Sequence, residues 1–332
     1  MASGVNEIQA LPSASLAHIA ERARVYIAQA LAQATQRAYT SDLRRLYVWL
    51  DHMGLPPRLP VTGEVLALHL ASLADSGYSV SAIERARAAV KSAHDVLDED
   101  GAPNPATDKR VRYAMKGIRR ALGVRPLREV DALYPEDVRS MLRALPTGRA
   151  HLLRSCRNAA LLACGFALGS RRSELVALDV SDVNKTTDGY VVVIRRSKTD
   201  QEGRGREVGV PYGTQASCCP VRLLDAWLDR RGVDGGGPLF CGVSPDGRWI
   251  LHDPRICPRT VARVIQRAAK LGGVDKDVAG HSLRAGLVSS AARAGKSIQS
   301  IQGQTGHRSL DMVLRYMRRE SLFDDNAAAG IL

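Results

Sequence analysis

The chain has 332 residues, of which 45% are hydrophobic, so it can bury a sizeable core and is expected to form two domains. Its 47 Lys and Arg residues exceed its 34 Asp and Glu residues and give a formal net charge of +13. This excess favours a polyanionic partner, and nucleic acid is the first candidate. A basic protein without such a partner would have the same total, so the distribution of the charge decides between the two interpretations.

The cysteines and the apolar runs exclude several other classes of protein. The six cysteines include no CxxC pair and no regular framework, which argues against a disulfide scaffold and a zinc site and fits a reducing cytoplasm. No apolar run reaches the roughly 18 residues that a membrane helix needs, and the N-terminus lacks the order of a signal peptide. We therefore expect a cytoplasmic protein with no membrane contact.

The N-terminal part of the chain is predicted to be all-helical. Residues 1–14 show no period and are expected to form a flexible segment. Beyond them, apolar residues recur at every third or fourth position in five segments. These segments cover residues 15–33, 35–54, 62–77, 79–97 and 107–122. Thr62, and either Ser79 or Ser81, stand where helix N-caps are expected. The pattern predicts a helical DNA-binding domain over residues 15–123.

The last of these helices separates its apolar residues from its charged ones. At about 100° per residue, Val111, Met115 and Ile118 fall on one arc. The other arc has five cations and no acidic residue: Lys109, Arg112, Lys116, Arg119 and Arg120. A solvated face normally mixes both signs, so this arc predicts a surface that follows DNA phosphates. Further DNA contacts are predicted on two preceding helices, at Arg37, Ser41, Arg44, Arg85, Arg87 and Lys91.

The rest of the chain is predicted to form a mixed domain. Residues 124–133 include Pro126 and predict an extended linker, and a second domain covers residues 134–332. Its predicted helices lie at residues 136–145, 151–168, 220–231 and 258–271. Its strand candidates are residues 179–183, 190–196 and 206–211, of which the last two form a hairpin. The fold class is therefore mainly α, with an all-helical domain and an α+β domain that contains a small antiparallel sheet.

Residues suited to phosphate chemistry are concentrated near the C-terminus. Gly280-His281-Ser282-Leu283-Arg284 is followed by Thr305-Gly306-His307-Arg308 and then by Tyr316. Cleavage of a phosphodiester requires a nucleophile, positive charge that stabilises the transition state, and an acid for the departing oxygen. Acidic residues that could hold a metal are sparse here, so arginine is expected to supply the positive charge. These stretches predict most of a DNA-cleaving active site.

Single residues of this set also have simpler explanations. His281 could cap a helix or lie in a core, although its spacing of three from Arg284 puts both on one helix face. Tyr316 could be a core residue, although other apolar residues already form the stripe of its helix and leave it free to face outward. Lys198 on a hairpin could simply be exposed, and Lys185 is the alternative to it. The combination is therefore more informative than any one member.

The order of the motifs resembles that of the tyrosine recombinases. Gly169-Ser170-Arg171-Arg172-Ser173-Glu174-Leu175 precedes Lys198, and His281-x-x-Arg284, Gly306-His307 and Tyr316 follow. The Gly-His-Ser-x-Arg-x-Gly string and the Leu-Phe-Cys segment are most similar to the Cre-like members of that family. The resemblance covers nearly the whole chain, and five motifs in the same order make it specific.

The resemblance implies the roles of the reacting groups. Tyr316 would be the nucleophile that forms a 3′-phosphotyrosine intermediate, and its ordinary pKa of about 10 means that it needs a base. His281 would be that base. Lys198 would protonate the leaving 5′ oxygen.

The resemblance also implies how the phosphate is held. Arg171 and Arg284 would bind its non-bridging oxygens, and His307 would add a hydrogen bond to the same phosphate. Glu174, three residues after Arg171, would orient the catalytic groups. No metal, nucleotide or other cofactor is expected, because exchanging one phosphodiester for a phosphotyrosine conserves the bond energy.

The expected partners and reaction follow from the same resemblance. The partner would be double-stranded DNA with inverted repeats, and a homotetramer would hold two such sites, with each C-terminal tail docked on a neighbouring protomer. The reaction would be site-specific recombination through a Holliday junction. Two alternatives stay open: strand relaxation like that of type IB topoisomerases, and a non-catalytic DNA-binding protein of the same fold.

Overall fold

A computed structural model gives the fold. It describes residues 22, 31–96, 103–124, 129–197, 200, 203–231, 236–244, 255–307 and 309–320. Several predictions lie outside these residues: the segment 1–14, most of the helix at 15–33, part of the linker, Lys198 and the tail after Glu320. The chain divides into two compact units, residues 1–128 and 129–332. Within the described ranges, no helix is both long and apolar enough to cross a membrane.

The first unit is built from four described helices and buries one apolar core. They are α1 (Gln33–His52), α2 (Gly63–Asp75), α3 (Val80–Val96) and α4 (Lys109–Leu122). Thr62 begins α2 as predicted, since its Oγ1 accepts a hydrogen bond from the N–H of Val65 at 3.3 Å. Asp108 caps α4 through the N–H of Arg110 at 2.7 Å, so α4 begins slightly later than predicted. Fully buried core residues include Leu46, Leu66, Leu70, Ile83 and Val111.

A buried carboxylate ties α1 to α3. Asp42 on α1 is 2% exposed. It accepts hydrogen bonds from Nε of Arg85 at 2.7 Å, from Nη2 of Arg85 at 3.1 Å and from Arg45 at 3.0 Å. A buried carboxylate needs such partners, because an unpaired buried charge is strongly destabilising. Arg85, which the sequence analysis assigns to DNA, therefore has a structural task inside this unit.

The second unit combines eight described helices with a three-stranded sheet. The helices are α5 (Pro135–Arg143), α6 (Leu152–Leu168), α7 (Arg172–Ala177), α8 (Pro220–Arg231), α9 (Pro258–Leu271), α10 (Ser282–Arg293), α11 (Ile298–Thr305) and α12 (Leu310–Glu320). The strands β1 (Val183–Lys185), β2 (Gly189–Ile194) and β3 (Arg206–Pro211) pair antiparallel in that order. One core contains the buried face of α6 together with Trp227 and Phe240. The predicted fold class is confirmed.

Two strand boundaries were predicted wrongly. Residues 180–182 form a 3₁₀ turn, and β1 starts only at Val183. The turn forms because Oδ2 of Asp182 accepts the N–H of Asp179 at 2.8 Å. Strand β2 ends at Ile194 instead of residue 196, since Arg195 leaves the ladder and donates to the carbonyl oxygen of Ala177 at 3.0 Å.

Two glycines let α10 pack closely against its neighbours. Gly169 ends α6 with φ +53°, and a Cβ there would lie 2.6 Å from the side chain of Leu287. A Cβ at Gly286 would lie 1.7 Å from the carbonyl oxygen of Leu133. Larger residues do not fit at these positions without displacing backbone or packed side chains. The close approach brings Arg284 of α10 to the end of α6.

His69 on α2 is predicted to make the first unit sensitive to acid. It is 1% exposed, and among the described residues neither ring nitrogen has a hydrogen-bond partner. Burial, followed by the positive charge of Arg45, lowers its pKa from 6.5 to about 4. Below pH 6.5 the unfolded chain therefore binds a proton that the folded chain does not. The stability contributed by the neutral ring is present above pH 6.5 and is lost as the pH falls towards 4.

The substitution His69→Phe is expected to remove this dependence, because Phe keeps the contact with Trp49, whose ring lies 5.1 Å away, but does not titrate. Urea-induced unfolding of both proteins between about pH 7 and pH 4.5 measures the difference in their free energies of unfolding. As the pH falls, the free energy of unfolding of the variant should rise relative to that of wild type by up to about 3 kcal/mol. A difference that stays constant across the range would contradict the prediction.

Candidate active site

Arg171 is fixed by a buried carboxylate. It occupies the N-cap of α7, directly after the turn that ends α6. Its N–H donates to Oε2 of Glu174 at 3.2 Å, and its Nη1 donates to Oε1 of the same residue at 2.6 Å. Glu174 is 3% exposed. Because one buried carboxylate binds both the backbone N–H and the guanidinium of Arg171, the guanidinium has little freedom to move.

Arg284 is held by backbone carbonyl oxygens. It is 2% exposed, and its Nη1 donates to the carbonyl oxygens of Gly169 at 2.7 Å and Thr305 at 2.5 Å. Burial, and next the charge of Arg171, lowers its pKa to about 10, so it stays protonated at neutral pH. Its Nε and Nη2 are buried and have no acceptor among the described residues. Two strong donors therefore lack an acceptor among the described residues, and an oxygen of a ligand would satisfy them.

The tautomer of His307 follows from its neighbour. Nδ1 of His307 lies 2.7 Å from Oγ1 of Thr305, and that hydroxyl donates its proton to the carbonyl oxygen of Ile301 at 2.6 Å. The hydroxyl can then only accept, so Nδ1 donates and the neutral ring has its lone pair on Nε2. Burial, followed by the charges of Arg284 and Arg171, lowers the pKa of His307 to about 3. At neutral pH, Nε2 is therefore an acceptor.

His281 and Tyr316 complete the set on neighbouring elements. His281 precedes α10 and is exposed, yet its pKa is lowered by partial desolvation and by the charges of Arg284 and Arg171. Tyr316 on α12 is half-buried and packs against an apolar cluster that includes Val288. Ionised Tyr316 would raise the pKa of Arg284, so the two groups lie within electrostatic range. Both histidines are neutral at pH 7.

A third arginine, Arg206, belongs to this cluster and was not predicted from the sequence. Its Nη2 lies 3.3 Å from Oε2 of Glu174 and 3.3 Å from the carbonyl oxygen of Thr305. It opens β3, next to a hairpin rich in other cations, so the sequence contains no signal that separates it from them. By contrast Lys185, the alternative to Lys198, pairs with Asp225 at 2.8 Å and is not part of the cluster.

The cations assigned to DNA in the first unit fall into two groups. On α3, Arg87 pairs with Glu84 at 3.5 Å and Lys91 pairs with Asp95 at 2.7 Å. Arg119 on α4 also binds Glu84. Within the described residues, no ion pair involves the remaining exposed cations. These are Arg37 and Arg44 on α1, beside exposed Ser41, and Lys109, Arg112, Lys116 and Arg120 on α4.

Two family matches cover most of the chain. Residues 131–321 match the Phage integrase family, and residues 23–101 match the phage integrase N-terminal SAM-like domain. The chain belongs to the phage integrase family of tyrosine recombinases. The first match alone covers more than half of the chain and includes every residue of the arginine and histidine cluster.

Relatives of known name agree with the family. An integrase/recombinase XerD homolog of Selenomonas ruminantium is 32% identical over 307 residues, which cover 92% of this chain and 87% of the relative. The recombinase Cre of Escherichia phage P1 is 24% identical over 307 residues, which cover 87% and 85%. This protein is a tyrosine-type site-specific recombinase. Its likeness to Cre is more distant than its likeness to the XerD homolog.

Solved structures share the fold at low sequence identity. XerH recombinase, bound to its palindromic difH substrate after cleavage, aligns with a TM-score of 0.65 at 19% identity and covers 97% of this chain and 86% of that one. A lambda integrase tetramer bound to a Holliday junction aligns with a TM-score of 0.55 at 16% identity and covers 91% and 76%. Both are recombinases, and their similarity to this chain supports the assignment of its fold.

Binding of DNA is expected to raise the pKa of His307. A phosphate would offset the charges of Arg284 and Arg171 that now keep the ring neutral. Because Nδ1 donates to Thr305, protonation is what supplies an N–H at Nε2 for a phosphate oxygen. The ring should therefore change from neutral to charged at a higher pH in the complex than in the free protein.

The measurement is an NMR titration of labelled histidines in the Tyr316→Phe variant, with and without duplex DNA. The substitution Thr305→Val serves as the control, since it removes the hydroxyl that fixes the tautomer and should weaken the link between DNA binding and protonation. An unchanged pKa of His307 on addition of DNA would rule out a phosphate at this position.

Proposed function

We propose that this recombinase cuts and rejoins duplex DNA through a covalent 3′-phosphotyrosine at Tyr316 and a Holliday junction, with no metal or nucleotide. The arginine cluster is the main support for this proposal. Arg171 and Arg284 come from two helices, lie within electrostatic range, and are held by Glu174 and by carbonyl oxygens. A rigid pair of guanidinium groups suits the two non-bridging oxygens of a phosphodiester.

The proposed cleavage step exchanges one ester of phosphorus for another. Oη of Tyr316 attacks the phosphorus, and its proton passes to His281. The bond from phosphorus to the 5′ oxygen breaks, and Lys198 gives that oxygen a proton. The 5′-hydroxyl of a second strand then reverses these steps and joins the strands. Two esters of similar energy are exchanged, so the reaction needs no nucleotide.

The electrostatics of the site support these roles. A base has to be neutral before it accepts a proton, and the lowered pKa of His281 meets this requirement at pH 7. The charge on the phosphate increases as the transition state forms, so Arg171 and Arg284 would stabilise it more than the ground state. His307 would contribute its hydrogen bond once the phosphate has raised its pKa.

The first test is covalent capture. The protein is incubated with a nicked duplex that carries a candidate inverted-repeat site taken from the DNA beside its gene, and adducts are separated on denaturing gels. Wild type should form an adduct and Tyr316→Phe should not, while Tyr78→Phe, at a tyrosine of the first unit, should behave like wild type. Arg171→Ala and Arg284→Ala should each slow adduct formation by about 10²- to 10³-fold.

Other outcomes separate the alternatives. Equal adduct yields from wild type and Tyr316→Phe would contradict the proposed nucleophile. Strand exchange between two copies of the site distinguishes recombination from simple relaxation. Relaxation of any supercoiled plasmid, independent of the site, would instead indicate an activity like that of type IB topoisomerases.

The proposal includes a homotetramer that holds two DNA sites. An apolar groove of about 650 Å³ lies among α5, α6, β3, α10 and α11. Its lining includes Val138, Phe166, Pro211, Leu287, Ala291 and Ile301. The tail after Glu320 contains Leu322, Phe323, Ile331 and Leu332. We infer that the groove receives this tail from a neighbouring protomer, because burying two complementary apolar surfaces favours association.

Removal of residues 321–332 is expected to abolish the tetramer and to leave binding of one protomer to half a site unchanged. Ala291→Trp should have the same effect, because the larger side chain fills the groove, whereas Ala216→Trp at an exposed position outside the groove should not. Mass photometry of protein mixed with full-site DNA counts the protomers in each complex. Wild-type assembly by both the truncated chain and Ala291→Trp would exclude this groove as the docking site.

A further inference from the structure

Arg206 closes a continuous chain of contacts through the active site. Oε1 of Glu174 accepts from the guanidinium of Arg171, and Oε2 accepts from the backbone N–H of Arg171 and from the guanidinium of Arg206. The carbonyl oxygen of Thr305 accepts from both Arg206 and Arg284. Four segments that are distant in sequence are thus joined: the start of α7, the start of β3, the end of α11, and α10. Arg206 is the link between the carboxylate and the turn that precedes His307.

The space beside Gly306 is shaped to accept Arg206. Gly306 ends α11 with φ +67°, and a Cβ at this position would lie 2.6 Å from Nη1 and 2.8 Å from Cζ of Arg206. The guanidinium therefore packs directly on the peptide backbone that precedes His307. A displacement of Arg206 would move this turn, and with it the His307 ring that the turn positions.

Arg206 also stands at the base of the hairpin that contains Lys198. It pairs with Ile194 in the β2–β3 ladder, and Lys198 follows Ile194 by four residues. The contacts of Arg206 with Glu174 and Thr305 thus join the start of β3 to the residues that hold Arg171 and Arg284. A residue at this junction would influence how the segment expected to protonate the leaving oxygen is placed relative to the groups that hold the phosphate.

We propose that Arg206 is a positioning residue for strand cleavage, which acts through Glu174 and through the Thr305–His307 turn rather than by holding the DNA. The inference rests on the proposed function, since it concerns the same active site. It assigns to Arg206 an effect on the rate of cleavage that is separate from DNA affinity. Its single Nη2 makes both contacts, so a lysine ammonium, which has three donors, can replace much of it.

The experiment compares Arg206→Gln, Arg206→Lys and the control Arg222→Gln, which removes the same charge at an exposed position on α8. Single-turnover cleavage of the nicked duplex gives the rate, and fluorescence anisotropy gives the affinity. Arg206→Gln should cleave about 10²-fold more slowly, as expected for a misplaced reacting group, with DNA affinity close to that of wild type. Arg206→Lys should recover most of the rate, and Arg222→Gln should match wild type.

A double-mutant cycle tests the route of action. If Arg206 acts through Glu174, the combination of Arg206→Gln with Glu174→Gln should cleave about as slowly as the slower single variant. Additive losses would overturn the route through Glu174. Wild-type cleavage by Arg206→Gln, or a loss of affinity as large as the loss of rate, would overturn the positioning role.

A failure of the proposed function can be distinguished from a failure of the proposal for Arg206. Adduct formation by wild type and its absence in Tyr316→Phe establish the reaction before any Arg206 variant is compared. If Arg206→Gln does not fold, as judged by circular dichroism, Arg206→Lys and Gly306→Ala are used for the test instead. The Cβ of Gly306→Ala presses on the Arg206 guanidinium and, at φ +67°, also strains the turn before His307, so cleavage should slow without loss of affinity.

Discussion

The buried guanidinium of Arg284, held by the carbonyl oxygens of Gly169 and Thr305, is the contact on which the active site depends. A buried charge is costly unless it is paired, and carbonyl dipoles offset that cost only in part. Glu174 pairs with Arg171 and Arg206, and Arg284 is bound by carbonyl oxygens instead, so positive charge is left in excess. Under the proposed function, a phosphate would offset this excess, and the transition state, which carries more negative charge, would offset it further.

The same excess of positive charge sets the state of the histidines. It contributes to the low pKa of His281 and His307, which makes both neutral in the free protein. A neutral His281 can act as a base, whereas His307 needs the phosphate before it can donate from Nε2. Under the proposed function, one electrostatic environment would thus prepare two histidines for different tasks, and the contact with Thr305 fixes the tautomer of His307.

The sequence was sufficient for the family and the fold class, since the order of the motifs along the chain is itself the signal. It could not reveal Arg206, whose contacts reach residues 32 and 99 positions away. It also assigned Arg85 to DNA, although packing of α1 on α3 pairs that residue with Asp42. The misplaced first strand has a different cause, because a local hydrogen bond of Asp182 outweighed the apolar pattern. Contacts between distant segments therefore decide the cases of Arg206 and Arg85, and a local contact decides the strand.

The most direct test of the account is to remove charge from the scissile phosphate instead of from the protein. A methylphosphonate at that position lacks one negative oxygen and needs less positive charge for its transition state. On ordinary DNA, Arg284→Ala should cleave about 10²- to 10³-fold more slowly than wild type. On methylphosphonate DNA, this ratio should shrink by about tenfold or more. An Arg284→Ala defect of the same size on both substrates would contradict the claim that Arg284 neutralises the phosphate.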